Sequence, residues 1–204
     1  MSLPYSDVEP HSLKSCLSPS EGLPRVYFHF DLSIQVTRKD LIPDNLKQLT
    51  LEIINVIPYN AIKIFTDGSR LNDHAGSGIY IEKPRDKLSI SFRNPDFSSV
   101  FKSELIAIEH SLEAIRNEND FGDLWIFSDS RSSLQHIHNW ITVGDQTSIS
   151  ILIKFRLISD SHDVHFQWIP LHVDIHGNER ADSLVKEGCS HSSSSSSALK
   201  FFEH

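Results

Sequence analysis

The chain has 204 residues, of which 39 % are apolar and 23 % charged. This fits one globular domain with extra segments and excludes wholesale disorder. The net charge of −8 is unusual for a protein that meets phosphates, which leaves a small-molecule partner or an acidic site that recruits divalent cations.

No run of eighteen apolar residues occurs, so no membrane partner is expected. Residues 1–10 lack the basic start and apolar core of a secretory signal. Cys16 and Cys189 lie far apart, in segments with little to pack. A disulfide framework is therefore not expected. An intracellular setting, cytoplasmic or nuclear, is.

Residues 1–60 read as an N-terminal arm or the remnant of an upstream region, partly flexible. Within it, Val26 to Val36 has the β-branched and aromatic content of one strand. Asp44 to Ile57 carries apolar residues at Leu46, Leu49, Ile53, Ile54 and Ile57, a helical period, with Asp44 as the expected N-cap and Pro58 as the stop.

From Ala61 the pattern changes. Ala61 to Thr66 is a short strand stopped by Asp67-Gly68, and Gly78 to Glu82 and Leu88 to Phe92 complete an antiparallel meander. Ser103 to Arg116 is helical, with Leu105, Ile108, Leu112 and Ile115 on one stripe. Leu124 to Phe127 is a buried strand. Helices follow at Arg131 to Trp140, with Ser130 as N-cap, and at Ser148 to Ser159. Val164 to Ile169 is the last strand, and Gly177 to Lys186 the last helix. Hairpins first and crossovers later imply an α/β domain over 61–188, with one mixed sheet and helices on its faces. The Ser-rich stretch 189–204 reads as a flexible tail.

Four acids sit at telling places on these elements. Asp67 and Asp129 each follow a strand, and in an open sheet ligands gather beyond the carboxyl ends of parallel strands. Glu104 begins the first helix of the domain, and Asp182 lies in the last. Taken singly, Asp67 is a turn residue, Asp129 a helix cap, and the other two are solvated helix acids. Taken together, four converging carboxylates raise one another's pKa unless cations neutralise them. Hard oxygen ligands favour Mg2+ or Mn2+. Two such ions about 4 Å apart can activate a water and stabilise the leaving oxygen of a phosphodiester.

Thr66–Ser69 (TDGS), Ser103–Ile115 (SELIAIEHSLEAI), Ile126–Gln135 (IFSDSRSSLQ) and Trp168–Gly188 (WIPLHVDIHGNERADSLVKEG) together resemble a type-1 ribonuclease H. They are most similar to the ribonuclease H domains of arthropod non-LTR retrotransposon polyproteins of the jockey-like kind. The resemblance covers about Ile62 to Gly188 and implies a ribonuclease H-like fold with a five-stranded mixed sheet. It implies hydrolysis of the RNA strand of an RNA–DNA hybrid, with two Mg2+ ions, for which Mn2+ substitutes, on Asp67, Glu104, Asp129 and Asp182. His172 matches a histidine on the loop before the last helix, which moves protons or helps product leave. Gly68 and Ser69 match a turn that approaches the RNA, and Asn178 and Glu179 match a polar pair beside the last helix and substrate. A reverse transcriptase module is the implied neighbour, and the domain itself is expected to be monomeric. Leu171 and Asp174 depart from the pattern, where related elements carry a small residue and Gly, and Asp174 places negative charge beside His172. The basic handle of bacterial enzymes has no counterpart, since only Arg131, Lys154 and Arg156 lie between Asp129 and Val164.

Two other readings stay open at this point: a non-catalytic ribonuclease H-like module that binds nucleic acid or protein, and a decayed mobile-element copy. No GxGxxG or GxxxxGK[ST] loop is present. His172 and His176 have no cysteine pair with which to build a zinc site.

Overall fold

The computed structural model describes residues 22–32, 42–191 and 202–203. The expectations for Cys16, for the strand beyond Leu32 and for the serine run from residue 192 lie outside these residues. Along the chain come β1 (Val26–His29), α1 (Pro43–Val56), β2 (Ile62–Leu71), β3 (His74–Lys83), β4 (Asp86–Arg93), α2 (Val100–Ala114), β5 (Leu124–Ser128), α3 (Arg131–His138), a 3-10 turn (Trp140–Thr142), α4 (Gln146–Ser159), β6 (Val164–Trp168), α5 (His176–Ser190) and β7 (Phe202–Glu203).

The strands form one mixed sheet in the order β1-β6-β5-β2-β3-β4-β7. The α/β class and mixed sheet are as expected, but the sheet has seven strands among the described residues rather than five. The two additions extend it on either side. β1 pairs parallel to β6 in the register Val26↔Val164, and β7 pairs antiparallel to β4. An edge strand presents a row of unpaired backbone groups, and β1 satisfies those of β6. Side chains secure it: Phe28 stacks on Phe166 at 4.9 Å, and Arg25 pairs with Asp163 at 2.6 Å.

Alternation along the strands separates two apolar layers. Ile62, Ile64, Ile79, Ile81 and Ile126 point into one, with Leu105, Ile108 and Leu112 of α2, Leu134 and Ile137 of α3, and Ile151, Leu152 and Phe155 of α4. Phe65, Tyr80 and Phe127 point into the other, with Ala181 and Leu184 of α5 and Ile57 after α1. Leu46 and Ile54 of α1 pack against this second layer. Among the described residues, no helix is long and apolar enough to cross a membrane.

Several boundaries differ from expectation for local reasons. Asp67-Gly68 is not a turn: the β2–β3 ladder runs on through Asp67↔Gly78 and Gly68↔Ser77 to Leu71↔His74, and the chain reverses at Asn72, whose φ is 55°. Helix α1 starts at Pro43, with Ile42 in the cap position and Asp44 in the first turn; proline suits a first helical position because its missing N–H needs no partner there. Helix α2 starts earlier than expected because Ser99 caps it, its side chain accepting from Lys102 N at 3.1 Å, so Glu104 sits in the second turn. Asp145 likewise extends the start of α4 by accepting from Ser148 N at 3.1 Å. Ser130 precedes α3 but makes no cap bond, its hydroxyl lying 2.7 Å from that of Ser133. Helix α5 runs past Gly188 to Ser190, which buries Cys189 to 2 % exposure instead of leaving it in a loose tail.

Two glycines set how closely helices approach the central hairpin. A Cβ at Gly68 would lie 2.2 Å from the backbone nitrogen of Glu104, and one at Gly78 would lie 2.2 Å from the carbonyl oxygen of Ala181. Their missing side chains allow α2 and α5 to seat their acids beside β2.

Candidate active site

Strands β2 and β5 are parallel neighbours, with Thr66 opposite Ser128. One residue further on, Asp67 and Asp129 emerge at the same end of the sheet, as their sequence positions suggested. Gly68 brings Glu104 of α2 to the same place. Carboxylate oxygens of Asp67, Glu104 and Asp129 all lie within 4.8 Å of one another. Asp182 stands outside this trio. Its carboxylate accepts from Lys186, one turn along α5, although its charge is felt at both Asp67 and Asp129.

Burial sets the electrostatics. Asp67 and Glu104 are 8 % and 3 % exposed. Burial, then the charges of Asp129 and Asp182, push the Asp67 carboxyl up to about 7, against the backbone N–H of Gly68 and a hydrogen bond with Glu104. Burial and then Asp67 and Asp129 push Glu104 well above the usual carboxylate range. Burial also raises Asp129, while the Asn178 amide and the His172 ring pull it down.

Asp129 is held at both its backbone and its side chain. The Trp168 indole N–H donates to its carbonyl at 3.1 Å, and Asn178 Nδ2 donates to its carboxylate at 3.3 Å. Asn178 is 3 % exposed, so it supports the acid from beneath. Glu179, in the first turn of α5, is half-buried and stands apart from the carboxylate trio. Gly68 is buried within β2, and Ser69, beside it on the strand, is half-buried, so neither forms the substrate-facing turn that was expected.

His172 is exposed, with φ at 55°, on the loop between β6 and α5. Asp174, two residues on, also has a positive φ of 57°, where Gly is otherwise favoured and Asp is among the tolerated residues. Its carboxylate is bound by Lys47 of α1, which holds it below the usual carboxylate range. Sequence reasoning missed this contact, since the two residues are far apart in the chain and neither stands in a local motif. It also missed Trp168, for which the signal was present: a partly buried indole N–H needs an acceptor.

The three basic residues between Asp129 and Val164 are all engaged. Arg131 pairs with Asp31 at 3.3 Å, Lys154 with Glu109 at 3.2 Å, and Arg156 with Asp160 at 4.0 Å. They do not form a basic handle.

The donor set fits a hard divalent cation. Glu104 Oε2 is buried without a hydrogen-bond partner, and leaving such an acceptor unsatisfied costs about 1–3 kcal/mol, more for a charged group. An oxygen-seeking cation between three carboxylates removes both that cost and their mutual repulsion.

Comparison with known proteins agrees with this geometry. Residues 59–190 match the RNase H family model. Ribonuclease H of Campylobacter jejuni subsp. jejuni serotype O:23/36 (strain 81-176) is 27 % identical over 133 residues, which span 62 % of this chain and 89 % of that protein. Ribonuclease H1 of Homo sapiens is 25 % identical over 147 residues, spanning 64 % of this chain and 51 % of the human protein. The fold is similar to the crystal structure of LC9-RNase H1, a type 1 RNase H, with a TM-score of 0.52 and 17 % identity over 65 % of this chain and 74 % of that one. With the carboxylate trio at the ends of the central strands and the family match spanning it, the chain belongs to the ribonuclease H family, enzymes that hydrolyse RNA paired with DNA.

Proposed function

We propose that this chain is an endonuclease that cuts the RNA strand of RNA–DNA hybrids with two Mg2+ ions, for which Mn2+ substitutes. Asp67, Glu104 and Asp129 would hold the ions, with Asp182 as the fourth ligand once Lys186 yields its carboxylate. The observation that carries this reading is the convergence of three carboxylates within 4.8 Å around the unpartnered Glu104 oxygen. When bound, the ions would activate water and stabilise the leaving 3′ oxygen of the phosphodiester.

The chain's own residues then have distinct tasks. Asn178 fixes the carboxylate of Asp129, and Trp168 its backbone carbonyl. His172, exposed and close enough for its charge to reach Asp129, is placed to move a proton or help product depart. Gly68 and Asn178 support the site from buried positions, while Ser69 and Glu179 are the candidate substrate contacts. Recognition would rest on A-form shape and 2′-hydroxyls rather than on base edges. Lacking a basic handle, the domain attracts phosphates mainly through the cations it holds.

We infer further, from the motifs quoted above, that the chain derives from a non-LTR retrotransposon of the arthropod, jockey-like kind. It would act as an intracellular monomer beside a reverse transcriptase module.

The reading is tested by the ends it leaves. Digestion of an end-labelled hybrid with Mg2+ is expected to cut at internal positions and leave 5′-phosphate and 3′-hydroxyl termini, with no cutting after chelation. Cyclic phosphates, 5′-hydroxyl ends or chelator-resistant cutting would contradict it.

A further inference from the structure

The His172 loop carries two residues with left-handed backbone, His172 and Asp174. Such a conformation is unfavourable for most residues with a side chain, less so for Asp, and persists where the surroundings over-determine it. Within the family-matched region the loop has two apolar anchors, Val173 and Ile175, which are 5 % and 3 % exposed. Both belong to the apolar layer that also contains Ile57, against which Leu46 and Ile54 of α1 pack. The polar member of the loop is held from the same helix, by Lys47 on Asp174.

Helix α1 spans Pro43–Val56, wholly upstream of the residues 59–190 that match the family. We propose that α1 is the seat of the His172 loop, with Lys47 as a positioning residue that fixes the loop through Asp174 and cancels its charge. The proposal rests on the functional reading above for its kinetic consequence, but its structural content stands alone. It accounts for how a carboxylate tolerates this place in a loop that a polyanion approaches. With Lys47 in position, Asp174 presents an ion pair. Without it, Asp174 presents an unpaired negative charge two residues from His172.

The test is a double-mutant cycle on the full chain, read by hybrid turnover and by hydrogen exchange of the loop amides at residues 171–174, with Asp129→Asn as the control for site-dependent cleavage. Lys47→Ala is expected to lower kcat by up to about fivefold, the upper limit for an exposed ion pair, with KM little changed and those amides exchanging faster. Lys47→Arg should restore both. In an Asp174→Asn background, Lys47→Ala should have no further effect, because Asn adopts the left-handed conformation readily and carries no charge to cancel.

An equal kcat loss in both backgrounds would overturn the proposal, since Lys47 would then act elsewhere. So would unchanged turnover and exchange in Lys47→Ala. If the unsubstituted chain shows no Asp129-dependent cleavage, the functional reading fails. Loop exchange then decides the seating claim alone: faster exchange in Lys47→Ala that is absent in the Asp174→Asn background upholds it, and any other pattern overturns it.

Discussion

Asp129→Asn is expected to lower hybrid cleavage at least about a thousandfold, the consequence of losing several kcal/mol of transition-state stabilisation at tenfold per 1.36 kcal/mol. The substitution changes charge and almost nothing else. Asn keeps the volume, its side-chain oxygen still accepts from Asn178 Nδ2, and its carbonyl still accepts from the Trp168 indole. The fold should therefore be retained, and without metal the variant should melt no lower than the parent, while turnover disappears. Asp129 is the most informative of the acids because it is held by Trp168 at the end of β6 and by Asn178 of α5, so loss of activity cannot be assigned to a collapsed site. Steady-state cleavage at saturating Mg2+, with a metal-free thermal melt of the same preparation, checks it. Activity within tenfold of the unsubstituted chain would mean that the carboxylate cluster is not where the chemistry happens.

Asp67→Asn should raise the melting temperature at pH 8 without divalent metal. Asp67 is pushed up from 3.8 to about 7 in the fold, chiefly by burial and then by Asp129 and Asp182. A group whose folded pKa lies above its unfolded value stabilises the protein fully below the unfolded pKa. That contribution is lost as pH rises through the folded value. Between pH 4 and pH 8 the metal-free chain therefore loses about 4 kcal/mol at this residue, at 1.36 kcal/mol per pKa unit. Asn at position 67 keeps an acceptor for the Gly68 N–H and removes the titration. For a domain of this size, each kcal/mol moves the transition by about 2–4 °C, so a rise of roughly 5 °C or more is expected at pH 8, shrinking toward zero near pH 4. Mg2+ should stabilise the unsubstituted chain and not the variant. A variant that melts lower than the parent at pH 8 without metal would show that an ionised Asp67 does not destabilise the metal-free fold. Both predictions reflect one trade: a site built to hold cations is unstable without them.

Much of the domain was legible because its signals are local. The isoleucines of β2 and β3 alternate with period two, and the stripe on α2 repeats with helical spacing, so burial face follows directly from sequence. Asp67 and Asp129 could be paired in advance because parallel strands deliver their carboxyl-end residues to one edge. What was illegible depends on distant parts of the chain. Asp67-Gly68 has the composition of a turn, yet the β2–β3 ladder overrides that preference and carries the strand to Leu71. The role of Gly68 is to admit Glu104 rather than to turn, which no single-strand reading reveals. Lys47 and Asp174 meet only because α1 packs on the layer that also holds Val173 and Ile175. Cys189, which composition assigned to a loose tail, is buried because α5 continues two residues past Gly188. Asp182 was grouped with three equal partners, and the geometry distinguishes it: Lys186 occupies its carboxylate while the other three converge.

The most direct test of the account is cleavage of three labelled duplexes side by side by the full chain with Mg2+: RNA–DNA hybrid, duplex DNA and duplex RNA. The account predicts cutting confined to the RNA strand of the hybrid, through the site built on Asp67, Glu104 and Asp129. Equal cutting of all three duplexes, or of none under conditions where the chain is folded and metal is bound, would contradict it.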